Sequence, residues 1–198
     1  MILAGMTRED GFSQYLKVYF EKELQGIGQV MVCGYIGEGA SMSIESHWTP
    51  PFLQDNVGDA SYTSKLSDIA QATTGSTAKA EWNSIMNWDG IEPPQFTMPV
   101  YLKAFRDPVT EVEDAIKYLQ MMQAPELNEA LPLGRIPETV IVDIGRRVKL
   151  PNMQIQNIEV PLDSPKSVEG HRTELTLQLT LQAKQMLNQS EIPNIYIR

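Results

Sequence analysis

Residues 173–183 read Thr-Glu-Leu-Thr-Leu-Gln-Leu-Thr-Leu-Gln-Ala. Leu175, Leu177, Leu179 and Leu181 fall on one face of this stretch, and Thr176, Gln178, Thr180 and Gln182 on the other. A helix would scatter the four leucines around its circumference, whereas a period of two is the signature of a half-buried strand. A second strand precedes it. Met153 and Ile155 point one way; the phase then slips by one residue, and Ile158, Val160 and Leu162 take over the apolar face. Such a slip predicts a bulge at Gln156-Asn157. The connection over 163–172 holds Pro165 and Gly170 and reads as a long hairpin loop, so the two strands are expected to be antiparallel neighbours.

Other segments extend the sheet. A third strand is expected over 139–150, apolar at Val140, Val142, Ile144 and Val148, bracketed by Pro137 and Pro151, with Gly145 as a bend. Phe96, Met98, Val100 and Leu102 alternate with Thr97, Pro99, Tyr101 and Lys103, and Pro99 suggests an edge position. Residues 12–20 alternate too, with Leu16, Val18 and Phe20 inward; Gln25-Gly26-Ile27-Gly28 is a turn, and 30–36 a short buried strand. One strong helix is expected over 109–122. Thr110 and Glu113 have capping-box spacing, Glu111, Glu113 and Asp114 suit the first turn, and Val112, Ala115, Ile116, Leu119 and Met122 form one apolar stripe. Residues 125–138, with three prolines, read as an extended connection. Residues 40–95 read as an irregular insertion with a short helix over 77–88 and a small cluster of Trp82, Ile85 and Trp88. The expected architecture is α+β and β-dominated, a single domain over 1–198 with 40–95 as an insertion between strands.

Charge narrows the function classes. Sixteen Lys and Arg stand against 25 Asp and Glu, a net charge of −9. A sequence-independent nucleic-acid binder needs a basic face, which this balance opposes. The single cysteine, Cys33, precludes an internal disulfide and suits a reducing environment. The N-terminal apolar stretch is too short for a signal peptide, and no apolar run approaches the roughly 20 residues of a membrane span. These features lead us to expect a soluble protein.

Motifs for chemistry are sparse. His47 and His171 are far apart and lack ligand-type spacing, so neither a metal nor a cofactor is expected. Cys33 lies in an apolar run and reads as a buried structural thiol rather than a nucleophile. Asp55-Asn56-Val57-Gly58-Asp59 lacks the ligand alternation of a calcium loop and reads as a turn. Gly34, Gly37 and Gly39 follow a strand but open no helix, which excludes a dinucleotide fingerprint. No carboxylate pair suggests acid–base catalysis. Arg146, Arg147 and Lys149 form the one basic concentration, either a solvated strand edge or a contact to an acidic neighbour or phosphate. The polar faces of the C-terminal strand pair are neutral or acidic, with no Lys or Arg between Asn152 and Leu162. An amide and hydroxyl surface of this kind suits a wet channel through which a polyanion or an extended protein slides without sticking.

The order over 94–184 (strand, helix, Pro-rich link, strand, then a hairpin carrying Pro-Leu-Asp-Ser-Pro, Val-Glu-Gly-His-Arg-Thr-Glu and Leu-Thr-Leu-Gln-Leu-Thr-Leu) resembles the tube-type domain of baseplate and tail-tube proteins of contractile-tailed bacteriophages, notably the tube initiators. Gly170-His171 stands where such domains usually have Gly-Pro. The resemblance implies a rolled antiparallel sheet with one flanking helix, assembled as a hexameric ring whose hairpins join into a barrel around a lumen. It implies that Gln154, Glu159, Thr176, Gln178 and Thr180 face that lumen; the basic Arg146, Arg147 and Lys149 are expected, from their charge, to be assembly contacts. Implied partners are the tail tube protein, baseplate hub or wedge proteins, sheath and tape-measure protein, with DNA only in passage and no membrane. The implied location is the virion, after assembly in the host cytoplasm. The competing expectation is a non-ring tail adaptor, such as a tail terminator, a sheath-contacting connector or a baseplate wedge protein. An enzyme, for instance a wall-degrading hydrolase, is disfavoured for want of a carboxylate pair or metal ligands.

Overall fold

A computed structural model describes residues 1–6, 10–49, 86–125 and 136–197. It separates into two compact units, one of Met1–Ile44 with Pro93–Arg198, the other of Glu45–Glu92. The strands are β1 (Ile2–Gly5), β2 (Lys17–Leu24), β3 (Gly28–Ile36), β4 (Ser41–Ser43), β5 (Ser46–Thr49), β6 (Asn87–Ile91), β7 (Gln95–Lys103), β8 (Val140–Ile144), β9 (Val148–Glu159) and β10 (Glu174–Ala183). Helix α1 (Asp114–Gln123) continues a wide first turn over Val109–Glu113, and α2 (Ile192–Ile195) is a single turn near the C-terminus.

In the larger unit, β3, β2, β8, β9, β10 and β7 pair in that order, and β3 pairs back to β7. The result is a closed six-stranded antiparallel barrel, β-dominated and flanked by one main helix as expected. Closure rests on Tyr35 opposite Tyr101 and Ile36 opposite Val100, extended by a 2.8 Å bond from Gly37 N to Pro99 O. β1 adds in parallel to β3, and β4 adds to the outer edge of β7. Closing a sheet removes the exposed edges that invite unwanted pairing.

The alternation of β10 is realised residue by residue. Leu177, Leu179 and Leu181 are fully buried, Leu175 nearly so, and the intervening Thr176 and Gln178 are exposed. Burial of each leucine contributes roughly 1.5–3 kcal/mol. The helix stripe Val112, Ala115, Ile116, Leu119 and Met122 packs into the same core. A satellite cluster of Met6, Tyr19 and Cys33 covers the other side of β2 and β3. There the buried ammonium of Lys17 meets the Asp10 carboxylate at 2.6 Å, so β2 begins buried on both faces.

Several elements differ from expectation. The strand expected over 139–150 is two strands: Gly145-Arg146-Arg147 is a hairpin turn between β8 and β9, with left-handed φ of 58° at Gly145 and 56° at Arg146. A Cβ on Gly145 would lie 2.6 Å from Tyr15 O, so the turn needs glycine there for space as well as backbone freedom. β9 then runs through Pro151 because the register against β8 shifts between Val140 and Val142, and Asn152 takes a left-handed φ of 61°. A bulge tolerates a proline that a regular ladder would not. β9 ends at Glu159, leaving Leu162 exposed. Residues 14–16 form a 3-10 turn with Leu16 exposed, and the alternation starts only at Lys17. Asp107, not Thr110, caps the helix, accepting bonds from Val109 N at 3.0 Å and Thr110 N at 3.3 Å.

In the smaller unit, β5 and β6 form a two-stranded antiparallel ribbon. Trp88, expected at a helix end, lies in β6 opposite Trp48. Asn87, also expected in that helix, opens β6, while residues 77–85, with Trp82 and Ile85, and the Asp55–Asp59 turn lie outside the described residues.

Candidate functional site

The outer face of β7, β10 and β9 gathers all five residues expected to line a channel. β10 is central. Thr176 faces Tyr101, Gln178 sits between Pro99 and Glu159, Thr180 between Thr97 and Asn157, and Gln182 between Gln95 and Gln154. Gln154 and Glu159 are an odd number of residues apart, so a regular strand would turn them to opposite faces. The register shift at Thr180/Leu181 leaves Gln156 as the extra residue, and that bulge returns both to one side. It lies where the slip in apolar phase puts it.

The face is held by side-chain bonds. Asn157 Nδ2 donates to Glu159 Oε1 at 3.1 Å, and Gln156 Nε2 to Gln182 Oε1 at 3.3 Å. Its lower end carries Lys103, paired with Glu174 at 3.3 Å, and Tyr101, whose hydroxyl donates to the same carboxylate at 3.0 Å. The Tyr101 bond, then Lys103, hold Glu174 below the ordinary glutamate range. The bond to Glu174 raises the Lys103 ammonium in turn. Pro99 fits because its missing N–H falls between the stretches of β7 that pair with β4 and with β3. The face thus presents amides and hydroxyls, one opposed ion pair and the Glu159 carboxylate.

Arg146 and Arg147 sit apart from it in the β8–β9 turn, and Lys149 lies at the start of β9, opposite Asp143. Arg146 is bound into the fold: its backbone N and Nη1 bond the buried Asp143 carboxylate at 3.0 and 2.6 Å, and its guanidinium lies 3.9 Å over the Tyr19 ring. Arg147 stacks over the exposed Tyr15 ring at 5.4 Å, and Lys149 is exposed. The sequence cluster therefore divides into one structural residue and two surface cations.

Four further features escaped sequence reasoning. Glu111, expected to be a solvated first-turn acid, is buried and accepts bonds from Phe105 N and Arg106 N, fixing the approach to the helix. Glu113 bonds Arg172 N and Nη1, both at 3.0 Å, tying the helix to the β9–β10 loop rather than to Thr110. A cavity of about 700 Å³ is lined by Met1, Leu3, Met6 and Met31 with Cys33 and Tyr19. The only available signal for it was the high methionine count. Cys33 is the buried thiol expected, pushed up to about 12 chiefly by burial, far from a reactive thiolate at neutral pH. Gly34 packs against Val100 and Leu102 and Gly37 against Pro99, so these two glycines serve close approach of β3 to β7. His47 is joined by Glu45 and Glu92, which spacing did not reveal.

No protein-family model matches this chain, and no curated protein matches it.

Proposed function

We propose that the chain is a structural component of a contractile phage tail, forming a ring at the junction of baseplate and tube that initiates or extends the inner tail tube. One observation carries this reading: a closed barrel bears, on the outside of β7, β10 and the Met153–Glu159 stretch of β9 that pairs with β10, a polar face whose one Lys, Lys103, is already paired to Glu174. Lys or Arg on a channel wall would exchange counterions with DNA and hold it; amides and hydroxyls do not. In this proposal Gln154, Glu159, Thr176, Gln178 and Thr180 line the lumen. Arg147 of the β8–β9 turn and Lys149 at the start of β9, both exposed, are available to acidic neighbours.

The test mixes the purified chain with the tail tube and baseplate hub proteins of the same tail and images the products by electron microscopy. Closed six-fold rings stacked on hub or tube are the expected result. Persistence of a monomer with both partners present would overturn the reading, and a single copy bound to one sheath subunit would favour a non-ring adaptor. In assembled tubes, Gln178→Lys with Thr180→Lys should leave ring formation intact and introduce salt-sensitive DNA retention.

A further inference from the structure

We infer that the ribbon of the smaller unit carries a site for a divalent transition-metal ion, zinc by its donor chemistry, held by Glu45, His47 and Glu92. This inference does not rest on the ring reading.

The ribbon register builds the site. Glu45 and His47 are two residues apart and share one face of the chain entering the ribbon. Glu92 lies across from Glu45, fixed by a 2.8 Å bond from Glu92 N to Glu45 O. His47 pairs with Gly90, which has no side chain and open space around it, so nothing crowds the imidazole from the facing strand. Donor atoms of the three side chains lie within 4.8 Å of one another, and His47 Nε2 is 2.8 Å from Glu92 Oε1. Ligands about 2.0–2.2 Å from a tetrahedral zinc stand roughly 3.5 Å apart, so small rotations of exposed side chains complete the triangle. The set is mixed imidazole and carboxylate, which suits zinc better than calcium or magnesium. Three protein donors leave a fourth position for water or another donor.

A separate observation points to a cation. Like charges directly opposite in an antiparallel pair are destabilising. Here two glutamates face each other, Asp89 adds a third carboxylate, and the described residues of this unit, 45–49 and 86–92, contain no Lys or Arg. Asp89 is engaged by the Thr49 hydroxyl. The His47 ring already bonds Glu92, and a bound divalent ion would relieve the remaining repulsion between Glu45 and Glu92.

The test titrates zinc chloride into the metal-free full chain by isothermal calorimetry and follows the two histidines by NMR. One zinc per chain is expected, with the His47 ring resonances shifting and those of His171 unmoved. Glu45→Gln, His47→Ala and Glu92→Gln should each weaken binding by at least about tenfold, with unchanged circular dichroism. Absence of stoichiometric binding by the wild-type chain below millimolar zinc would overturn the inference. So would undiminished binding by the triple variant.

Discussion

Gly34 offers the sharpest test of how the barrel closes. It sits on β3 just before the two residue pairs that join β3 to β7, and its inner side faces Val100 and Leu102. A Cβ there would lie 2.3 Å from Val100 Cγ1 and 3.3 Å from Leu102 Cδ2. Both partners are fully buried, so neither side chain can swing into solvent. Overpacking in such a place costs about 1–3 kcal/mol, and the alanine's reduced unfolded-state entropy returns about 0.4–1 kcal/mol. Gly34→Ala should therefore lose about 1–2 kcal/mol net. At about 2–4 °C per kcal/mol for a chain of this size, the midpoint falls by about 2–8 °C in a thermal melt followed by circular dichroism. Val100→Ala alone leaves a cavity and should cost about 2 kcal/mol. In the double variant the new methyl occupies that cavity, so the combined loss should fall short of the sum by at least about 1 kcal/mol. A Gly34→Ala midpoint equal to wild type, or strict additivity in the cycle, would refute the close approach of β3 and β7.

Three more outcomes follow from particular groups. Glu111→Gln weakens the bonds to Phe105 N and Arg106 N at a buried site and should cost about 1–3 kcal/mol in urea unfolding; an unchanged midpoint would count against this role. Cys33 should resist a thiol reagent at pH 8 in the folded chain and react on unfolding, whereas rapid native labelling would contradict its burial. Glu174 titrates low when folded, so its contribution is present above its unfolded pKa of about 4.3 and is lost as pH falls through the lower folded value. Tyr101→Phe removes the first of its partners and should move the Glu174 titration upward by NMR; an unmoved titration would exclude that bond in solution.

Period-two runs were legible because burial acts on alternate residues directly. The four leucines of β10, the Gln156 bulge and the stripe of α1 could all be read from spacing. Turn chemistry was less visible. Gly145 read as a bend because the apolar alternation resumes at Val148, and sequence alone does not show that the chain has reversed between them. Pro151 read as a strand end because the compensating bulge depends on the partner strand. Glu111 and Glu113 matched a capping pattern, yet their partners lie in the preceding loop and in the β9–β10 loop, beyond any local signature. The polar face of β7, β10 and β9 needed only alternation, whereas Glu45, His47 and Glu92 converge through a pairing across a long excursion.

That excursion leaves and rejoins the barrel at neighbouring points. Ser43 at the end of β4 pairs with Gln95 at the start of β7, and just beyond them Glu92 N bonds Glu45 O. The two ends are held together by the parent fold, so the length of chain between them is weakly constrained: doubling a flexible loop costs only about 0.6 kcal/mol. The position is thus a natural port for change. Shortening or enlarging the segment between β4 and β7, or replacing residues 46–91 with a short turn or a foreign module at the same junction, is expected to leave the barrel folded.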